Sequence, residues 1–238
     1  MDETSKCETR RREEGFYDRY IQGQGIDIGC GRDKIAASAV AFDLDSGDAQ
    51  KMAGFEDESF DYVYSSHCLE HMRDPLEALL NWWRLVKRGG HLIVAVPDED
   101  LYEQGIVPSA FNPDHKNTFT ISKEKSWSPV SMNVVDLIRH LPRRKLRYVK
   151  TTDVGYDYSK LGSSTDQTLG TAEAAIEMVV EKVRAELPVR THLSQLVLCS
   201  QCGRMDLSVR GLDQHGELHV SCGYCGQAGS LSVIIDRS

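Results

Sequence analysis

The sequence predicts an α/β fold: a doubly wound, mostly parallel sheet with helices on both faces, followed by a small C-terminal unit. Three observations carry this expectation. Short apolar stretches of strand character alternate with helical segments through most of the chain, which is the order of a parallel sheet covered on both sides. The first such stretch, Gly25-Ile26-Asp27-Ile28-Gly29-Cys30-Gly31, runs straight into a glycine-rich turn. Two Cys-x-x-Cys pairs, Cys199/Cys202 and Cys222/Cys225, stand near the C-terminus and mark a separate unit.

Taken in order, residues 1–14 form a charged arm, expected to fray unless it docks. Phe16, Tyr17 and Tyr20 mark a short amphipathic segment ahead of a strand at 25–29. A second strand is expected at 38–44 and a third at 60–65, where Phe-Asp-Tyr-Val-Tyr-Ser alternates. Asp74 and Pro75 open a helix as N-cap and first helical residue. Leu76, Leu79, Leu80 and Trp83 share one face of it, and Gly89-Gly90 is expected to end it. An apolar strand follows at 91–96, stopped by Pro97. After a loop-rich stretch at 97–130 come a helix near 131–141 and two late strands at 145–156 and 173–184. In the second, Ile176, Met178 and Val180 alternate with Glu177, Val179 and Glu181, although Ala/Glu-rich composition leaves a helix open over 172–186. Pro188 marks a boundary, so the expected organisation is an arm at 1–14, a main domain at 15–187 and a small domain at 188–238.

Bulk properties narrow the function classes. At 238 residues with 40% hydrophobic content, the chain can bury one sizeable core plus an appendage. A net charge of −8, from 28 basic and 36 acidic residues, disfavours generic attraction to nucleic acid or anionic lipid. No apolar run approaches the roughly 20 residues a membrane helix needs, and the charged N-terminus lacks the apolar core of a secretory signal. Seven cysteines in such a chain point to reduced thiols and metal, not disulfides. The expected location is the cytoplasm.

The glycine turn has a chemistry of its own. Its glycines admit close approach of a ligand to the backbone. A phosphate cradle would place Lys-Ser/Thr after the turn, and a dinucleotide site would usually supply a third glycine. Arg32, Asp33 and Lys34 follow instead, and the pattern suits a positively charged, nucleoside-bearing cofactor better than a polyphosphate.

An ordered series of motifs extends this turn: Phe42-Asp43-Leu44-Asp45, Gly47-Asp48-Ala49, Phe60-Asp61-Tyr62-Val63, Ser66-His67-Cys68-Leu69-Glu70-His71 and Lys87-Arg88-Gly89-Gly90-His91-Leu92. Over residues 15–187 the chain resembles a class I S-adenosylmethionine-dependent methyltransferase, with a Rossmann-like sheet. Pro97-Asp98-Glu99-Asp100-Leu101-Tyr102 and Asn112-Pro113-Asp114-His115-Lys116 resemble methyltransferases associated with glycan or sugar modification. The resemblance implies that Asp27 and the Gly29-Cys30-Gly31 turn bind the amino-acid part of S-adenosylmethionine. It also implies that Asp43 or Asp45 takes the ribose hydroxyls, that Asp48 and Ala49 meet the adenine, and that Ser65, Ser66 and His67 line the methionine side. In the family a helix and a third strand usually separate the ribose acid from the adenine acid. Here four residues intervene, so a reduced edge strand is expected.

Methyl transfer needs positioning and, for a hydroxyl acceptor, a base near neutral pKa. His115, with Asp114 as one candidate to orient it, is the expected base; His67 is the second candidate and also a cofactor-pocket residue, and His71 is expected to pack or cap. His67-x-x-Glu70-His71 matches the inverted zinc-protease pattern too, but it sits at a strand-to-helix turn inside the motif series. The basic run at 139–147 reads as a solvated helix end, with a phosphate or sugar-nucleotide acceptor as the alternative.

Cys199, Cys202, Cys222 and Cys225, with nineteen residues between the pairs, have the spacing of a four-cysteine structural Zn2+ site, and the tail resembles a zinc ribbon. Four basic and four acidic residues over 188–238 leave no phosphate-binding face, so a structural, docking or homodimer role is expected. The expected activity is therefore O- or N-methylation of a small-molecule or glycan acceptor. The alternatives are an RNA or protein methyltransferase that docks substrate through the ribbon, and a non-catalytic cofactor-binding scaffold.

Overall fold

The computed structural model describes residues 3–121, 123–163, 165–183, 207–212, 217–222 and 228–232. The chain divides into two compact units, Met1–Arg184 and Ala185–Ser238. The first unit begins with three short helices, α1 (Glu3–Lys6), α2 (Glu8–Glu13) and α3 (Phe16–Tyr20). Strands β1 (Gly25–Ile28), β2 (Val40–Phe42) and β3 (Phe60–Ser66) follow, then helix α4 (Pro75–Leu85) and strand β4 (Val86–Pro97). Beyond these lie β5 (Thr118–Thr120), β6 (Ser131–Asn133), α5 (Val134–Arg139), β7 (Arg144–Thr152) and β8 (Ala175–Lys182). In the second unit β9 (Leu207–Leu212), β10 (Glu217–Cys222) and β11 (Ala228–Ser232) form an antiparallel sheet in the order β11-β10-β9. Cys199, Cys202 and Cys225 lie outside the described residues, and Cys222 ends β10.

The main sheet runs β2-β1-β3-β4-β8-β7. Strands β1 to β4 are mutually parallel, whereas β8 is antiparallel to both β4 and β7. Between β2 and β3 the chain makes only a 3-10 turn at Leu44–Ser46, so the sheet stops at β2 and the central strands remain paired. Side-chain alternation sorts the two faces. Leu92, Val94, Val96, Ile176, Met178 and Val180 join the core beneath α4 and α5. Tyr62, Tyr64, Ile93 and Val179 pack on the other face with Phe16 of α3. The alternation at 173–184 is thus that of a strand, not a helix, and Glu177 shares the face of Val179, turned away from α4 and α5.

Two boundaries differ from expectation for identifiable reasons. Helix α4 opens as predicted, with Asp74 accepting the Glu77 amide at 3.0 Å, but it ends at Leu85. Val86 already pairs with Phe60, and a register shift between Phe60 and Tyr62 accommodates it. The glycine pair instead lies inside β4: Gly89 has φ +88°, and a Cβ on Gly90 would come within 2.4 Å of the Asp61 carbonyl oxygen. Helix α5 starts at Val134, because residues 131–133 pair as β6 and Asn133 caps the helix by accepting the Val135 amide at 2.9 Å.

The arm docks. Arg11, fully buried, donates to Glu177 Oε2 at 2.8 Å and to the Tyr64 hydroxyl at 2.8 Å. Arg10 donates to both Glu173 oxygens, and the Ser5 amide donates to Asp33 at 2.7 Å. The charge that made this segment look like a solvated arm is spent on buried carboxylates of β8 and its approach. Of the basic run, Arg147 pairs with Glu181 at 2.5 Å and Arg139 with Asp136 at 2.5 Å. No helix among the described residues is long and apolar enough to cross a membrane.

Candidate active site

The carboxyl ends of β1, β2 and β3 meet at the glycine turn, where an open parallel sheet places its ligands. Gly29 adopts φ +74°, and a Cβ there would approach Cys68 Sγ to 2.7 Å, so only glycine lets the turn lie against the end of β3. Two adjoining cavities share Gly29 and His67 as a common wall. One, of about 360 Å3, is lined by Gly29, Asp43, Leu44, Gly47, Asp48 and Ala49 on one side and by His67, Cys68, His71, Met72 and Asp114 on the other. The second, of about 290 Å3, is lined by Gly29–Gly31, Arg32, Asp33, Ser66 and His67, and by Glu3 and Thr4 of the docked arm. A larger cleft of about 530 Å3 between β5, β6 and α5 touches none of these residues.

Asp43 directly follows β2, caps the turn at Leu44–Ser46 and holds the site together. Its Oδ2 accepts the Gly31 amide at 2.5 Å and its Oδ1 the Leu44 amide at 2.7 Å. A carboxylate offers about four acceptor positions, so capacity remains for a diol. Asp45 is exposed on the following turn and lies off the cavity wall. Asp48 and Ala49 are set from below by α4: the Trp82 indole donates to the Ala49 carbonyl at 2.8 Å and Asn81 to the Gln50 carbonyl at 2.9 Å. Leu44, 93% exposed, projects at the cavity mouth next to these acids.

Asp27 and Ser65 are not on either wall. Asp27 is buried beneath the turn, where its Oδ2 accepts the Ile35 amide at 2.7 Å, and burial pushes its carboxyl up to about 7. Ser65 donates to the Ile28 carbonyl at 2.9 Å, tying β3 to β1. Strand alternation puts them on opposite faces of the sheet, Asp27 beside Tyr64 and Ser65 beside Ile28, and each braces the end of β1 through a hydrogen bond. Cys30 and Ser66 line the second cavity. Cys68 is buried, which raises its thiol to about 12 and keeps it protonated.

The histidines differ most from the sequence expectation. His67 adopts φ +52°, an unfavourable region for a bulky residue, while its amide donates to Ala95 at 2.9 Å. Burial lowers its pKa to about 4, so it is neutral near pH 7. Its Nε2 lies 3.2 Å from Glu3. His115 does not face the cavities: its side chain is 4% exposed, and its Nδ1 lies 2.6 Å from Glu103 Oε1. Asp114, expected as a candidate partner for His115, pairs with His71 Nδ1 at 3.0 Å instead. The cause is local. The amides of Lys116 and Asn117 donate to the Glu70 carbonyl at 2.9 and 3.1 Å, which draws the 112–117 loop onto the turn at Leu69–His71. His115 is thereby inserted between the rings of Tyr102 and His71. Glu70 lies under all three imidazoles, fully buried, and burial raises its carboxyl to about 8. His71 was expected to pack or cap, yet it stands on the cavity wall. Glu3 and Glu103 carry no signal in the sequence, whereas Leu44 and Glu70 stand inside the motif series and Glu70 also belongs to the His67-x-x-Glu70-His71 pattern.

The methyltransferase-domain family model matches residues 18–94. No curated protein matches the sequence. A structure reported for the conversion of a disulfide bond into a thioacetal group during echinomycin biosynthesis shares this fold, with 14% identity, TM-score 0.50, and 79% of this chain and 86% of that one covered. Two further matches are a methyltransferase in complex with the Haloferax volcanii Trm112 activator and a SAM-dependent methyltransferase from Methanosarcina mazei. The first is 15% identical, with TM-score 0.46 and coverage of 77% of this chain and 99% of that one. The second is 14% identical, with TM-score 0.46 and coverage of 71% and 97%. Residues 18–94 thus carry a methyltransferase domain, and the protein is an enzyme of that kind.

Proposed function

We propose that the protein methylates a hydroxyl or amine on a small, glycan-type acceptor held beside His67 and His71. The observation that supports this reading is the charge of the larger cavity wall: its charged residues are Asp43, Asp48 and Asp114, with no lysine or arginine among the described lining residues. A polyphosphate would be repelled there, whereas a sulfonium nucleoside with a ribose diol finds acceptors. When bound, S-adenosylmethionine supplies an electrophilic methyl group. The acids at the strand ends orient the nucleoside, the Gly29–Gly31 backbone admits the amino-acid moiety, and Ser66 and His67 stand along the methionine side. Asp27 and Ser65 shape the pocket from beneath.

His71 is the imidazole on the wall of the larger cavity, with Asp114 on its Nδ1, and His115 stands behind it with Glu103. The proton of a hydroxyl acceptor leaves through this histidine–glutamate cluster, in which His115 acts from the second row. Cys199, Cys202, Cys222 and Cys225 hold a structural zinc ion in a small domain at 188–238, a reading that rests on their spacing.

Calorimetry with S-adenosylhomocysteine and with a nucleoside triphosphate tests the pocket. Binding of the thioether, and a loss of tenfold or more in Asp43→Asn from a charged hydrogen bond of about 1.5–3 kcal/mol, is expected. Heat with the triphosphate alone would reject the reading. Transfer of labelled methyl to a panel of sugars and other small alcohols and amines identifies the acceptor.

A further inference from the structure

We propose that Glu70, His71 and His115 form a binding site for a divalent transition-metal ion beside the larger cavity. One ligand atom from each of the three lies within 4.8 Å of the others. The carboxylate is the reason to look further. Glu70 is 0% exposed, and neither of its oxygens has a hydrogen-bond partner. A buried carboxyl without a partner is costly whether ionised or protonated, so the fold has built a place where something else satisfies it.

What surrounds it is a ring of imidazole nitrogens. His115 Nε2 is 3.8 Å, His71 Nε2 3.9 Å and His67 Nδ1 3.7 Å from Glu70 Oε1. These separations are too long for hydrogen bonds. They are close to those of neighbouring ligands on one ion: metal bonds of about 2.0–2.1 Å place tetrahedral ligand atoms about 3.3 Å apart. Small side-chain rotations close the difference.

The outer partners match as well. Metal-bound histidines usually give their other ring N–H to a carboxylate, which fixes the tautomer. His115 Nδ1 faces Glu103 at 2.6 Å and His71 Nδ1 faces Asp114 at 3.0 Å. In both rings that leaves Nε2 as the lone-pair nitrogen, and in both rings Nε2 is the atom turned toward Glu70. Two imidazoles and one carboxylate suit zinc, iron, cobalt or nickel better than magnesium or calcium, which prefer all-oxygen sites. Three protein ligands also leave a coordination position for water or a ligand oxygen, and His71 opens onto the cavity. An acceptor oxygen on such an ion would lose its proton more readily, and would give it to solvent, since the Nε2 lone pairs of His71 and His115 would be spent on the metal. That role rests on the methyl-transfer reading and would replace proton transfer through these histidines, whereas ion binding does not depend on it.

The full chain, stripped with chelator and reloaded with Co2+, provides the test. Cobalt bound by thiolates gives strong near-ultraviolet charge-transfer absorption, while a histidine–carboxylate site gives visible bands without it. The expected result is that Glu70→Gln, His71→Ala and His115→Ala each lose one equivalent of cobalt and the visible bands, with any thiolate absorption unchanged. Because His115→Ala leaves a hole beside Tyr102, the near-isosteric Glu70→Gln decides the matter if the other variants unfold. Equal cobalt content and identical spectra in Glu70→Gln and the unaltered chain would overturn the proposal, as would thiolate absorption alone in the unaltered chain. S-adenosylhomocysteine binding to the stripped protein is measured in parallel, so loss of the metal proposal leaves the cofactor reading intact.

Discussion

Asp27 shows how a single carboxyl can shape a pocket it never enters. It sits under the glycine turn, accepts the Ile35 amide, and is pushed by burial to about 7. A carboxyl whose folded pKa is raised binds its proton more tightly in the native state. Its contribution to stability is therefore full below the ordinary value near 3.8 and is lost as pH rises through about 7. Asp27→Asn keeps an acceptor for Ile35 but cannot ionise. Urea unfolding across pH 4 to 8 is expected to show the native chain weakening by a few kcal/mol over this window from this group, with a flatter profile in the variant. Identical profiles would show that Asp27 does not titrate there. Asp27 stood out in the sequence through its place before the glycines; that it faces inward depends on strand alternation and on the segment at Ile35 folding over it.

At the scale of elements, α4 is the piece that places the adenine-side loop. Its sequence declares its start through Asp74 and Pro75 and its apolar face through Leu79 and Trp83. The Trp82 contact to Ala49 and the Asn81 contact to Gln50 join residues about thirty positions apart, and no local pattern announces them. Trp82→Phe preserves most of the buried ring and removes the donor to the Ala49 carbonyl. A stability loss of about 1–2 kcal/mol is expected, together with several-fold weaker binding of S-adenosylhomocysteine. A drop in melting temperature with unchanged binding would mean that the Asp48–Ala49 loop takes no part in the cofactor site. The end of α4 differs from the sequence expectation for a related reason: Gly89-Gly90 is a helix stop by composition, but pairing of Val86 with Phe60 ends the helix first.

Across the molecule, the N-terminal arm is bound over one face of the sheet, from β3 to β8, by contacts that a linear reading takes for solvated charge. Arg11 and Glu177 are both buried, and their pair lies 2.7 Å apart. Burial would raise the Glu177 carboxyl, but Arg11 and Arg10 overcome it and hold it at about 2. The sign is opposite to that of Asp27: this stabilisation is present above the ordinary carboxylate range and is lost as pH falls toward 2. Arg11→Ala removes the fully buried partner of Glu177 and leaves it to Arg10 and the Tyr148 hydroxyl, so a loss of about 3 kcal/mol is expected in urea unfolding, whereas Arg12→Ala, on an exposed pair with Glu8, changes little. The docked arm also places Glu3 and Thr4 on the second cavity wall. Comparable stabilities of the two variants would show that the arm is not anchored through this pair.

By itself the sequence determined the alternating architecture, the glycine turn, the acids at the strand ends and the shortened sheet edge, because each is written in residues close together along the chain. Only the tertiary structure decided which histidines meet, and with which acids. Residues 3, 67, 70, 71, 103, 114 and 115 come from the arm, the end of β3, the turn after β4 and a distant loop. Their convergence follows from backbone hydrogen bonds that draw the 112–117 loop onto Glu70. Long-range pairing of this kind depends on how the whole chain closes, and no spacing rule along the sequence encodes it.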